Sequence, residues 1–112
     1  MPGYLIDELS VFLPCYNEGN NLESTFNKIL PKIRTIARTW EIIIVNDGST
    51  DKTGEIARKF CHNYPDNVRI ITHNHNRGYG AALKSGFYSA KYARIVLIDA
   101  DGQFDFNEID KI

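Results

Sequence analysis

Asp99 and Asp101 stand two residues apart, directly after the apolar run Ile95-Val96-Leu97-Ile98. On extended backbone, alternate residues face the same side, so the two carboxylates converge on one point. Two such charges about 4 Å apart repel by ~4 kcal/mol at an effective dielectric near ~20, which favours a cation between them. Oxygen ligands of this kind suit Mg2+ or Mn2+. Gln103 continues the same alternation and adds a neutral amide oxygen. The plainer alternative makes Asp99 a loop cap and Asp101-Gly102 a turn.

Three other polar loops also follow apolar runs. The first is Pro14-Cys15-Tyr16-Asn17-Glu18-Gly19-Asn20. Tyr16 can stack on a flat ring, and Glu18 can accept from a ribose hydroxyl or a base N–H. A helix entrance, with Asn20 as N-cap and Glu23 three residues on, explains Asn20 and Glu23 but not Tyr16, Asn17 and Glu18. The second is Asn46-Asp47-Gly48-Ser49-Thr50-Asp51. Ser49 to Asp51 read as turn and helix-cap chemistry, leaving Asp47, at the strand end, as the ligand contact. The third is Asn74-His75-Asn76-Arg77-Gly78-Tyr79-Gly80. Its glycines allow close backbone approach, the following helix offers N–H groups to an anion, and Arg77 suits phosphate oxygens. A tight strand-to-helix turn explains the glycines equally well. A dinucleotide fingerprint would require Gly or Ala at position 83, where Leu stands. His73 and His75 lack a third ligand at zinc spacing and read as core or loop histidines. Cys15 and Cys61 read as small hydrophobes.

Hydrophobic periodicity outlines the strands and helices that carry these loops. Strands are expected at Leu9–Cys15, Trp40–Val45, Val68–His73 and Arg94–Ile98. Helices are expected at Asn20–Ala37, Asp51–Cys61 and Gly80–Ala90, the first kinked or interrupted by Pro31. On the third helix, Leu83, Phe87 and Ala90 fall on one face. Strands separated by helices imply right-handed crossovers and an α/β fold: a parallel sheet of about four strands with helices on both faces. Such sheets bind ligands at the C-terminal strand ends, where all four polar loops fall.

Composition narrows the function classes. The 112 residues are 43% hydrophobic with a net charge of -1, which fits one globular domain and gives no reason to expect nucleic acid as a partner. Two cysteines make no disulfide framework, and a reducing cytoplasm is the inference. No apolar run approaches the ~18 residues of a membrane span.

Together, Ser10-Val11-Phe12-Leu13-Pro14-Cys15-Tyr16-Asn17-Glu18, Glu41 to Asp51, Asn76-Arg77-Gly78 and Asp99-Ala100-Asp101 resemble the family-2 glycosyltransferases. The stretch Asn76–Phe87 with Asp99–Gln103 is most similar to the polyprenyl-phosphate branch, the dolichol-phosphate mannosyltransferase type. The resemblance implies the N-terminal half of a GT-A fold, a Rossmann-like three-layer arrangement. It implies that Pro14, Tyr16, Asn17, Glu18 and Asp47 hold the nucleoside of a UDP- or GDP-sugar, with Arg77 and Gly78 beside the donor. Asp99 would contact ribose or metal, and Asp101 with Gln103 would hold Mg2+ or Mn2+ on the diphosphate. The implied reaction is inverting sugar transfer, with polyprenyl phosphate as the acceptor, at the cytoplasmic membrane face. The resemblance also implies a nucleotide-sugar-binding half truncated at its C-terminus, with the general base beyond Ile112. Residues 107–112 read as a helix opening, Phe106 stands where many relatives have proline, and an exposed cut edge would favour self-association. Rival readings are a nucleotidyltransferase, which would want a basic Gly-rich first loop, and a non-catalytic nucleotide-binding or receiver-like module, which would want an acidic cluster there.

Overall fold

The computed structural model describes residues 3–101; Gln103, Phe106 and the helix opening at 107–112 lie outside the described residues. Strands and helices alternate: β1 (Ile6–Cys15), α1 (Leu22–Ile36), β2 (Ala37–Asp47), α2 (Thr53–Asn63), β3 (Val68–His73), α3 (Tyr79–Ser89) and β4 (Ile95–Leu97). The strands form one parallel sheet in the order β3-β2-β1-β4.

The branched run Ile42-Ile43-Ile44-Val45 is fully buried at the middle of this sheet, as expected for a strand covered on both faces. Its alternation divides the core in two. Ile42 and Ile44 join Leu9, Val11 and Leu13 under α1 and α2, where Phe26 and Phe60 stack with centroids 3.8 Å apart. Ile43 and Val45 join Phe12 and Ala82 under α3. The result is three layers, helix–sheet–helix.

Several boundaries differ from the periodic reading. Helix α1 begins two residues after Asn20, and Asn21, at its N-cap, makes no side-chain capping bond. The Glu18 carbonyl instead accepts from the Asn21 and Leu22 N–H groups. The helix runs through Pro31 without interruption. Pro31 lies on the exposed side and so does Asn27, so water can solvate the carbonyl that loses its partner. Ala37, expected at the helix end, starts β2 and pairs with Ile6.

Of the apolar stripe on α3, Leu83 and Ala90 pack against the core but Phe87 does not. Phe87 is 56% exposed, whereas Ala82 and Gly86 face the sheet. A Cβ at position 86 would overlap the Phe12 ring, so the helix approaches through its smallest residues. That leaves an apolar groove of about 420 Å³ between α3 and β4, walled by Phe12, Leu83, Phe87, Tyr88, Ile95 and Leu97. Gly86→Ala is expected to destabilise the protein by about 1–3 kcal/mol through overpacking, read from the urea midpoint. Phe12→Leu in the same chain should recover part of that loss. An unchanged midpoint for Gly86→Ala would show that the helix does not pack this closely.

Candidate functional site

From β1 the chain moves outward through β2 and β3, then crosses back to place β4 on the other side of β1. The strand order therefore reverses between β1 and β4, and the crevice at their C-terminal ends is the natural ligand position. A cleft of about 210 Å³ lies there, lined by Pro14, Tyr16, Glu18, Tyr79, Asp99, Ala100 and Asp101. A second, of about 200 Å³, is lined by Pro14, Cys15, Tyr16, Asp47, Asn76, Gly78, Tyr79 and Ala82. Pro14, Tyr16 and Tyr79 wall both.

The Asp99/Asp101 pair is held by what lies around it. Ile98 N–H donates to the Phe12 carbonyl at 3.0 Å, extending the ladder past β4. The carbonyl of Ala100, itself buried, accepts from the Thr25 hydroxyl at 3.0 Å. With Ala100 turned inward and pinned, both carboxylates are exposed and line the same cleft, as their spacing predicts. Tyr79 donates its hydroxyl to Asp99 Oδ1 at 2.9 Å. Burial, then the hydrogen bond to Asp99 and the charges of Asp99 and Asp101, push the Tyr79 hydroxyl above its usual range, so it remains a donor at neutral pH. Glu18 also lines this cleft, and its Oε2 is buried with no hydrogen-bond partner among the described residues.

The donor set fits a hard divalent cation. Mg2+ is commonly held by one or two carboxylates together with substrate phosphates and water, and Asp99 with Asp101 supplies two. No three His, Cys, Asp or Glu side chains among the described residues are grouped to hold an ion by themselves.

Asp47 ends β2 and is 3% exposed. Its Oδ1 accepts from His73 Nδ1 at 2.7 Å and from Arg77 N–H at 2.9 Å, and its Oδ2 from Gly78 N–H at 3.0 Å. Burial alone would raise the carboxyl pKa; the His73 bond and the two backbone donors outweigh it and hold the group below its usual range. Asp47 thus shapes the third loop while facing the second cleft. Gly78 adopts φ 99°, open to glycine at little cost. Arg77 supplies its N–H to Asp47, but its side chain is exposed and lines neither cleft.

Asn17 is placed differently from its neighbours Tyr16 and Glu18. At φ 54°, its carboxamide oxygen accepts from Thr50 N–H at 2.8 Å, and its own N–H donates to Ser49 Oγ at 2.9 Å. Asp51 accepts from Gly19 N–H at 2.9 Å and from Thr53 N–H at 2.9 Å. The Asn17 side chain therefore joins the first loop to the second and lines neither cleft. Gly48, at φ 68°, passes so close to the third loop that a Cβ would overlap the backbone of His75 and Asn76. His73 is buried and His75 exposed. Periodicity gave no role to Tyr79 or Thr25; a polar Thr25 within the apolar stripe of α1 was the available signal.

The Asp47 arrangement sets an acid dependence. Because its folded pKa is depressed, its stabilising contribution is present above the unfolded value of about 3.9 and is lost as pH falls through the folded value. Asp47→Asn is expected to cost about 1–3 kcal/mol at neutral pH and to flatten the decline in stability below about pH 4. Urea unfolding across pH tests this, and wild-type stability in the variant at neutral pH would contradict it.

The family model described as Glycosyl transferase family 2 matches residues 10–112. Human dolichyl-phosphate beta-glucosyltransferase is 39% identical over 111 residues, covering 94% of this chain and 34% of that protein. Undecaprenyl-phosphate 4-deoxy-4-formamido-L-arabinose transferase of Pectobacterium carotovorum is 32% identical over 107 residues, covering 96% and 33%. The chain thus spans about a third of the length of these relatives. Among solved structures, mannosyltransferase PcManGT from Pyrobaculum calidifontis in complex with GDP-Man and Mn2+ superposes with a TM-score of 0.72 at 27% identity, covering 83% of this chain and 27% of that one. Glucosyl-3-phosphoglycerate synthase from Mycobacterium tuberculosis, bound to Mn2+, UDP and glucosyl-3-phosphoglycerate, gives 0.67 at 26% identity, covering 84% and 33%. With the parallel sheet and the acidic cleft at its switch point, these matches show that the chain belongs to glycosyl transferase family 2.

Proposed function

We propose that this chain is the donor-binding part of a metal-dependent, inverting glycosyltransferase that takes a UDP- or GDP-sugar. The observation that carries this reading is the cleft at the β1/β4 switch point. It gathers Glu18, Asp99 and Asp101, and one Glu18 oxygen is buried without a partner among the described residues. A carboxylate so placed calls for a donor from outside, such as a ribose hydroxyl or a base N–H. In this reading Pro14 and Tyr16 form the nucleoside wall, Glu18 and Asp47 accept its hydrogen bonds, and Gly78 lets the donor approach. Asn17 supports the site by bracing the loop, and Arg77 contributes its backbone N–H to Asp47. Asp99 and Asp101, with Gln103, would hold Mg2+ or Mn2+ against the diphosphate. Bound there, the ion would neutralise charge on the leaving nucleoside diphosphate.

The relatives' names point to a polyprenyl-phosphate acceptor, with transfer at the cytoplasmic face of a membrane. No helix among the described residues is long and apolar enough to cross one. We assign acceptor positioning and the general base to the part of the relatives' length that this chain does not span. Isothermal titration is expected to show UDP or GDP binding in the presence of Mn2+, abolished by EDTA. Asp99→Asn with Asp101→Asn should weaken it by about tenfold or more, the worth of one charged contact. Absence of metal-dependent binding of either nucleotide, in protein shown to be folded by circular dichroism, would overturn the reading.

A further inference from the structure

The row of β2 residues facing α3 runs Ile43, Val45, Asp47, and its register partners on β3 are Arg69, Ile71 and His73. The apolar row therefore ends, at the cleft, in a carboxylate beside an imidazole. His73 is 7% exposed. Its Nδ1 lies 2.7 Å from Asp47 Oδ1, and its Nε2 lies 2.8 Å from the hydroxyl of Ser85 on α3. An ionised carboxylate only accepts, so Nδ1 carries the proton. In the neutral ring, Nε2 then accepts from Ser85. The contacts link Ser85 on α3, His73 on β3 and Asp47 at the end of β2.

A carboxylate offers about four acceptor sites. His73, Arg77 N–H and Gly78 N–H occupy three of those on Asp47. The free site is on Oδ2, and Asp47 lines the second cleft together with Gly78. The two backbone donors sit on one loop, whereas His73 holds Oδ1 from the rigid sheet. We infer that His73, oriented by Ser85, is a positioning residue that fixes the plane of the Asp47 carboxylate and so aims its free lone pair at the nucleoside of the donor. The inference rests on reading the cleft as a donor-nucleotide site. It assigns His73 to recognition of the nucleoside and not of the diphosphate.

The test compares UDP, GDP and inorganic pyrophosphate, each with Mn2+, by titration calorimetry on wild type, His73→Phe, His73→Asn and Ser85→Ala. Phenylalanine keeps a flat aromatic ring, somewhat larger than imidazole, and removes both hydrogen bonds; asparagine places an N–H donor where Nδ1 lies. His73→Phe is expected to weaken binding of the preferred nucleotide about tenfold, the worth of one hydrogen bond to a charged group, with pyrophosphate unchanged. His73→Asn should recover most of that loss, and Ser85→Ala should show a smaller one. In wild type, 15N NMR should report the Nδ1–H tautomer for His73, and Ser85→Ala should shift the Nε2 resonance. Equal losses for nucleotide and pyrophosphate, no rescue by asparagine, or an Nε2–H tautomer would each overturn the positioning role while leaving the donor-site reading standing. Wild type that binds pyrophosphate but neither nucleotide would overturn both.

Discussion

A buried, ionised carboxylate at the end of a central strand is a demand that the surrounding chain has to meet. Left unpaired, Asp47 would cost several kcal/mol. Its donors come from the end of β3 and from the turn that follows, at Arg77 and Gly78. Satisfying Asp47 therefore decides where the third loop lies and where α3 begins. The first residue of α3 is Tyr79, which reaches across both clefts to Asp99. One carboxylate thus sets the geometry of the second cleft and, through a single aromatic residue, touches the acidic one beside it.

The other end of α3 is tied by a matching polar cluster. Buried Glu41 accepts from Ser10 Oγ at 2.6 Å, Lys91 N–H at 2.7 Å and Arg69 Nε at 2.9 Å. Arg69 also donates to the Ser89 carbonyl. These contacts fix the connection into β4, which then pairs with β1 from Ser10↔Ile95 onward. Between the two ties, Ala82 and Gly86 bring the helix close to the sheet. The position of Asp99 and Asp101 follows from that strap and from Thr25, which holds the carbonyl between them.

Much of this was legible in the residues. Runs such as Ile42–Val45 can be little other than buried strand, because branched side chains favour pleated backbone and no polar residue interrupts them. The four polar loops fell at strand ends, and the spacing of Asp99 and Asp101 forecast their shared face. Pattern reading failed where proximity mattered more than hydrophobicity. It grouped Phe87 with Leu83 and Ala90, because apolar residues at helical spacing suggest one face; Phe87 stays 56% exposed, and the sheet receives Gly86, whose merit is its lack of bulk. It offered no partner within the chain for Asn17, whose carboxamide spans to a loop more than thirty residues away. It expected Pro31 to kink or interrupt a helix that runs on through it, with the proline on its wet side.

Local periodicity and short motifs are enough to establish the alternation of strands and helices, the parallel sheet and the family resemblance. The strand order emerges only in the folded chain, and with it the meeting of Glu18 and Asp99 in one cleft at the reversal between β1 and β4. Folding also makes His73 the partner of Asp47 and not a loop residue. Residues far apart along the chain leave no mark in periodicity. Which of them meet depends on register and crossover direction, and those are fixed only when the two faces of the sheet are packed.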